Sequence, residues 1–159
     1  QTNAAPGYPL SPPPPPATGE TITPVVFTSD LFGYTATVTP TLAAGDVCLS
    51  LASSLSLPLA SPYKRYAVTI RLFTNGRWEA RDGDTYKAAT VVPYAANAPY
   101  RLRVVVDFAA KKYDAFVNNT PIAIQYAFRT EQLAVDRLDQ FVLTAGVGNA
   151  AVTNFTVLD

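Results

Sequence analysis

Histidine is absent from the 159 residues, and cysteine occurs once. Without histidine the chain lacks the commonest general base and the commonest metal ligand of proteins. The single cysteine, Cys48, cannot form an intramolecular disulfide, and its neighbours are mostly apolar. We expect Cys48 to be a small buried side chain, because no histidine is present to activate its thiol.

Charge is also scarce. Only 15% of the residues are charged, and 12 basic residues balance 12 acidic ones. A chain without net charge has little electrostatic attraction to nucleic acids or anionic membranes, so we expect neither as a partner. No apolar run approaches the roughly 20 residues of a membrane span. Nine tyrosines and eight phenylalanines instead predict a surface rich in hydroxyl groups and aromatic edges.

Proline is concentrated near the N-terminus, where residues 1–24 hold eight of the fourteen prolines. The run from Pro12 to Pro16 favours polyproline II, a semi-rigid conformation without internal hydrogen bonds. Residues 1–24 are therefore predicted to be a linker to a neighbouring module or an arm that docks onto another copy of the chain. The sequence starts with Gln1 rather than methionine, as it would if a leader or preceding module had been cut away. We therefore expect a secreted or cell-surface protein.

Residues 100–119 give the clearest secondary-structure pattern. In residues 101–108, apolar side chains alternate with mostly polar ones, and a second run rich in aromatic and β-branched residues follows a short polar turn. Such alternation is typical of strands with one face in a core, and the spacing fits a hairpin. We take this hairpin as the organising element of the fold.

The remainder of residues 25–159 is predicted to form one domain of about ten short strands without βαβ alternation. This pattern indicates an all-β, antiparallel β-sandwich of the jelly-roll type. Residues 152–158 are expected to pair with residues 34–40, and residues 128–140 to be an irregular or helix-like crossover. Asn75-Gly76 predicts a type I′ hairpin turn, after which alternation places Trp78 in the core.

The run YRLRVVVDFAAKKYDAFVNNTPIA, residues 100–123, is similar to the strand–turn–strand core of laminin G-like and concanavalin A-like domains. Residues 34–158 as a whole resemble bacterial secreted domains of this superfamily, which occur in polysaccharide-degrading and cell-surface proteins. The resemblance implies a jelly-roll sandwich. It also implies that glycan binding or a bound Ca²⁺ ion is to be expected, although the paired acidic motif of glycosidases with this fold is missing.

Candidate ligand-binding residues follow from the strands around the Asn75-Gly76 hairpin. Guanidinium and carboxylate groups bind vicinal hydroxyls, and aromatic rings stack on sugar C–H surfaces. The ligand-binding candidates are Arg71, Glu79, Arg81, Arg103, Tyr86 and Tyr94. Arg103 is expected to join the others if its strand is a neighbour, and the two tyrosines, which are near loops, are better candidates than Trp78 for an exposed stacking residue. The alternative is a solvated cross-strand charge ladder that only keeps the sheet soluble.

Two further groups of charged residues are candidates for ion binding or local ion pairs. Asp82 and Asp84 flank a glycine and would be two of the six or more oxygen ligands that Ca²⁺ requires, the alternative being a plain turn. No cofactor beyond such a Ca²⁺ ion is expected. In the crossover, the acidic residues are expected to pair locally with Arg129 and Arg137; these acids are Glu131, Asp136 and Asp139.

The sequence thus predicts a secreted, non-catalytic, lectin-like module whose partner is a polysaccharide or another glycan. A competing hypothesis is a structural subunit of an extracellular fibre or surface layer. Such a subunit would join copies of itself through the proline-rich arm or by strand addition at a sheet edge. A lyase that uses tyrosine and arginine is a weaker alternative, because no acid–base pair is recognisable in the sequence.

Overall fold

The structure is a computed structural model that describes residues 19–56 and 61–159. The expectation for the proline-rich arm falls mostly on residues 1–18, which lie outside this range. Eleven strands make up most of the described chain: β1 Thr21–Pro24, β2 Leu31–Pro40, β3 Asp46–Ala52, β4 Tyr66–Leu72, β5 Trp78–Asp82, β6 Thr85–Lys87, β7 Tyr100–Asp107, β8 Lys112–Val117, β9 Thr120–Ala127, β10 Gln140–Val147 and β11 Ala150–Leu158.

The strands form two antiparallel sheets. The six-stranded sheet has the order β1-β10-β3-β4-β5-β6, and the five-stranded sheet has the order β11-β2-β7-β8-β9. The organising hairpin is β7–β8, in which Val104 lies opposite Ala115. The C-terminal strand returns beside β2, and Val152 pairs there with Val38, as predicted. The predicted all-β sandwich is confirmed.

Alternating apolar side chains fill the space between the sheets. Leu49, Ile70 and Trp78 from one sheet and Leu102 and Val104 from the other are completely buried. These strands form because their β-branched and aromatic residues fit a pleated surface with one face covered. The prediction that Trp78 is a core residue is confirmed.

The hairpin between β4 and β5 differs from the predicted type I′ turn. Only Gly76 has a positive φ, of 77°, and its N–H donates to the carbonyl of Phe73. Thr74, Asn75 and Gly76 therefore form a three-residue loop whose left-handed position is taken by glycine. Asn75 keeps a negative φ, and its side-chain oxygen accepts the N–H of Arg77 instead.

The start of the sandwich also differs from the prediction. Strand β1 pairs residues 21–24 with β10, so the domain begins before the expected boundary at residue 25. Residues 25–28, at the start of the predicted sandwich, form no strand. The crossover at residues 128–140 is irregular, as expected, and contains a single 3-10 turn, Thr130–Gln132. None of the helical segments in residues 19–56 and 61–159 has the length and hydropathy of a membrane-spanning helix.

Candidate functional site

One face of the six-stranded sheet points away from the core and carries polar and aromatic side chains. Because Leu72 and Trp78 point inward, the adjacent Arg71 and Glu79 point outward. The register aligns the outward side chains across neighbouring strands in three pairs: Cys48 with Arg71, Arg71 with Glu79, and Arg81 with Tyr86. This face therefore brings together four of the predicted ligand residues, namely Arg71, Glu79, Arg81 and Tyr86.

Arg71 is held in a fixed orientation at the centre of this group. Its guanidinium carbon lies 3.6 Å from the ring centroid of Phe73 and 3.6 Å from that of Tyr86. Its Nε and Nη2 atoms donate to Oε1 of Glu79 at 3.2 and 2.6 Å. Asn75 donates to the other carboxylate oxygen of Glu79 at 3.2 Å. The two rings and the carboxylate leave the guanidinium little freedom to rotate.

Arg129 reaches the same face from the irregular crossover that follows β9. Its Nε atom donates to the carbonyl of Tyr66 at 3.2 Å, and its Nη2 atom donates to the hydroxyl of Tyr86 at 3.3 Å. The expected local ion pair of Arg129 with the acids of the crossover is wrong. The expected local pairing with Arg137 does form, since Asp136 contacts Arg137, whereas Asp139 accepts hydrogen bonds from Ser54. Sequence reasoning missed Arg129 because an irregular segment has no periodicity that shows where a side chain points.

We refer to Arg71, Phe73, Glu79, Arg81, Tyr86 and Arg129 as the outer-face cluster. Next to it, the buried Tyr66 extends across the sheet, and its hydroxyl bonds to the Glu20 carboxylate and lies 2.9 Å from the Thr144 hydroxyl. Arg65 contacts Glu20 at 3.5 Å. On this other half of the face, Tyr66 is therefore held in place by Glu20 and Thr144.

The Tyr86 hydroxyl in the outer-face cluster and the neighbouring Cys48 thiol are both neutral at physiological pH. Burial, with a smaller contribution from Asp46, raises the pKa of the Cys48 thiol to about 12. Burial, with a smaller contribution from Cys48, raises the pKa of the Tyr86 hydroxyl to about 12. The thiol is therefore a poor nucleophile, and the hydroxyl is available as a hydrogen-bond donor or acceptor rather than as a base.

Two predicted ligand residues lie elsewhere. Arg103 belongs to β7 in the five-stranded sheet, where its guanidinium carbon lies 4.2 Å from the ring centroid of Phe116. The condition for Arg103 to join Arg71, a neighbouring strand, is not met; alternation along a strand does not show which sheet the strand enters. The candidate Tyr94 is not an exposed stacking residue. Tyr94 is 6% exposed, and its hydroxyl donates to the carbonyl of Phe73.

Asp82 and Asp84 are not arranged as a calcium site. The Oδ1 atom of Asp82 accepts the N–H of Ala127 at 2.8 Å, and its Oδ2 atom contacts Lys87 at 2.9 Å. Asp84 is exposed at the turn. In the described ranges, no three side chains of histidine, cysteine, aspartate or glutamate are close enough together to hold a metal ion. The Asp82 carboxylate instead ties the β5–β6 hairpin to β9.

Neither a family model nor a curated protein sequence matches the chain. Solved structures do match. A sialidase superposes with a TM-score of 0.66 at 11% identity, covering 91% of this chain and 14% of the sialidase. Sheep galectin-11, solved in complex with glycerol, gives 0.53 at 14% identity, covering 93% of this chain and 100% of the galectin. The carbohydrate-binding module CBM66 from Bacillus subtilis gives 0.55 at 12% identity, covering 91% of this chain and 84% of the module.

These similarities establish the fold. The two antiparallel sheets form a concanavalin A-like jelly-roll β-sandwich, the architecture of galectins and of carbohydrate-binding modules. The chain spans about one seventh of the length of the sialidase it matches. At such low identity the likeness concerns the backbone, and the function has to be argued from the side chains of the chain itself.

Proposed function

We propose that the protein is a non-catalytic carbohydrate-binding module whose glycan lies on the outer-face cluster. The observation that carries this proposal is the fixed orientation of Arg71 between two aromatic rings and the Glu79 carboxylate. The alternative is a cross-strand charge ladder that only keeps the sheet soluble. That role would not require Arg71 to be held in one orientation, since exposed ion pairs contribute little stability. Galectins and a carbohydrate-binding module share the fold, which supports the same conclusion.

The chemistry of the cluster suits sugar hydroxyls. Guanidinium and carboxylate groups that are already oriented lose little entropy when a ligand binds. The half-exposed rings of Phe73 and Tyr86 offer apolar surface for sugar C–H groups. Burial raises the pKa of the Tyr86 hydroxyl to about 12, so in the proposed site this hydroxyl serves as a hydrogen-bonding group. We also propose that the module acts outside the cell.

Affinity electrophoresis and calorimetry against a panel of soluble polysaccharides test the proposal. At least one polysaccharide should retard the wild-type protein, and Arg71→Ala should weaken that interaction about tenfold, as loss of a charge-assisted hydrogen bond implies. The isosteric Glu79→Gln variant is a second probe, in case Arg71→Ala unfolds. Arg103→Ala is the matched control, since Arg103 also stacks on a ring but in the other sheet. If no polysaccharide binds, the proposed function is wrong.

A second candidate function, self-assembly, is favoured by the edge strand β11. This nine-residue strand contains no charged residue and no proline, and its outer side faces no other strand in the described chain. A bulge at Asn154, which has a positive φ of 53°, divides it into two regular segments, residues 150–153 and 156–158. The other sheet edges are short or covered: β1 has four residues and β6 has three. At β9, the carbonyls of Ile122 and Ala127 accept N–H groups from Ala89 and Gly83. Short or covered edges resist strand addition, whereas a long uncharged edge invites it.

The occupant that fits this edge is a second copy of the chain, with two β11 strands paired antiparallel about a twofold axis. Such pairing brings each strand opposite its own sequence, and β11 has no charges that would repel one another. Thr153→Lys should abolish a dimer seen by analytical ultracentrifugation, while Thr85→Lys, an equally exposed change on β6, should preserve it. A wild-type protein that stays monomeric at high concentration contradicts this second candidate.

A further inference from the structure

The charges of the outer face are unevenly distributed. Asp82 of β5 pairs with Lys87 of β6, and Asp84 is exposed at the turn between these strands. Although the chain as a whole has no net charge, the other charged groups on or beside β4, β5 and β6 are four guanidinium groups and one carboxylate. These groups are Arg71, Arg77, Arg81, Arg129 and Glu79. The opposite half of the face, on β1, β3 and β10, holds Glu20 and Asp46 with Arg65. One end of the face is therefore cationic, and its field favours an anionic ligand.

In the part of the chain that the structure describes, three of these arginines have no carboxylate partner, and two of the three, Arg81 and Arg129, contact Tyr86. Among the described residues, the ion pairs of the outer face join Arg71 to Glu79 and Arg65 to Glu20. Arg81 donates from Nε to the carbonyl of Gly83 at 3.0 Å, and its guanidinium carbon lies 5.1 Å from the Tyr86 ring centroid. Its remaining N–H groups have no partner in the described ranges, and the side chain is half-buried.

Arg129 is the more unusual of the two, because it is only 5% exposed. Its contacts in the described ranges, the Tyr66 carbonyl and the Tyr86 hydroxyl, are neutral oxygens. A buried cation without a counter-ion is unfavourable, and proteins usually pair such a group or lower its charge. An arginine does not lose its proton, so a ligand anion close to Arg129 would offset its unpaired charge.

We infer that the glycan bound by the outer-face cluster is acidic, with its anionic group received at Arg81 beside Tyr86 and within the field of Arg129. This inference rests on the proposed function and specifies its ligand class. Arg81 is the direct contact, because it is the more accessible of the two side chains and keeps free donors. Arg129 is a positioning residue that holds Tyr86 and adds a positive charge behind it. The acidic group is a uronate carboxylate or a sulfate ester, both of which match a guanidinium fork.

Binding to four soluble polysaccharides tests the inference: polygalacturonate, its carboxyl-reduced form, a sulfated galactan and a neutral galactan. An acidic polymer should bind at least about tenfold more tightly than its uncharged counterpart, as a charge-assisted hydrogen bond implies. The two acidic polymers distinguish carboxylate from sulfate. The affinity should also fall as the salt concentration rises, because salt screens exposed charges.

Arg81→Gln should lower the affinity for the acidic polymer about tenfold and reduce its salt dependence, with little effect on binding of the neutral galactan. Arg103→Gln on the other sheet should change neither quantity. Arg129→Lys, which keeps the charge but loses the planar contact with Tyr86, should weaken binding less than Arg129→Gln. Equal binding of charged and uncharged polymers, or an unaffected Arg81→Gln variant, would overturn the inference but leave the proposed function standing. Failure to bind any polysaccharide would overturn both.

Discussion

The hydroxyl of Tyr94 lies 2.5 Å from the carbonyl oxygen of Phe73 and 2.9 Å from the backbone nitrogen of Gly45. It donates to the first group and accepts from the second. Tyr94 thereby connects the loop before β7, the β4–β5 hairpin and the start of β3. Because Phe73 is one of the two rings that enclose Arg71, Tyr94 supports the outer-face cluster from below without being part of it.

Tyr94→Phe should destabilise the protein by about 1–3 kcal/mol, because two backbone groups would lose a buried hydrogen-bond partner. Urea denaturation followed by tryptophan fluorescence measures this change, since Trp78 is the only tryptophan. Tyr100→Phe is the matched control. Its hydroxyl accepts a single hydrogen bond, from the exposed Ala95 N–H, so a smaller loss is expected. Equal losses in the two variants would contradict the bridging role of Tyr94.

The case of Tyr94 shows what the sequence could and could not predict. Alternation in β4, β5, β7 and β8 predicted the strands, the core position of Trp78 and the outward direction of Arg71 and Glu79. These predictions succeed because the side-chain direction in a strand follows from the local backbone alone. Tyr94 lies in a loop, where no such rule applies. Its position depends on the carbonyl of Phe73 and the N–H of Gly45, which are distant in sequence.

The same distinction explains the misplaced arginines. The alternation around Arg103 correctly indicated a strand, but the partner of that strand is set by tertiary packing, and β7 lies between β2 and β8. Arg129 follows Phe128, a fully buried residue, in a segment without periodicity. Its approach to Tyr86 depends on how the crossover passes the ends of β4 and β5, for which the sequence holds no local signal.

Cys48 should be unreactive in the folded protein. The thiol is 4% exposed, and burial raises its pKa to about 12, so almost no thiolate is present at pH 8. A colorimetric disulfide reagent should therefore label the native protein far more slowly than protein unfolded in guanidinium chloride. Free cysteine at the same pH is the control for the reagent. Rapid labelling of the native protein would contradict the buried, protonated thiol.

The stacking of Tyr86 on Arg71 should be separable from its hydroxyl contact. Tyr86→Phe keeps the ring 3.6 Å from the guanidinium and loses only the 3.3 Å hydrogen bond from Arg129. Tyr86→Leu removes both, and we expect it to be about 1 kcal/mol less stable than Tyr86→Phe, the usual size of a partly buried cation–π contact. Urea denaturation of the two variants measures the difference. Equal stabilities would show that the ring does not hold Arg71.

Asp159 should make the stability of the chain depend on acidity. Its carboxylate accepts hydrogen bonds from the N–H and hydroxyl of Thr28 and from the N–H and hydroxyl of Ser29. These bonds, those from Thr28 first, lower the pKa of Asp159 below its usual value of 3.8. A carboxyl whose pKa is lower in the folded state contributes stability that is fully present above its unfolded pKa. That stability is lost as the pH falls through the lower, folded pKa.

Asp159→Asn should therefore reduce stability at pH 7, and the difference from the wild type should shrink below pH 4 as the native carboxyl becomes protonated. Thermal unfolding between pH 2 and pH 7 measures the difference. Asp136→Asn is the control, because its carboxylate contacts only the neighbouring Arg137 at 3.6 Å, and both side chains are exposed. A difference between wild type and Asp159→Asn that stayed constant down to pH 2 would mean that the contact with Thr28 and Ser29 does not favour the ionised carboxylate. If Asp159→Asn is instead less stable than the wild type at pH 7 but equally stable in acid, the expectation is met. Asp159 then stabilises the contact between β11 and the β1–β2 connection through charge-assisted hydrogen bonds.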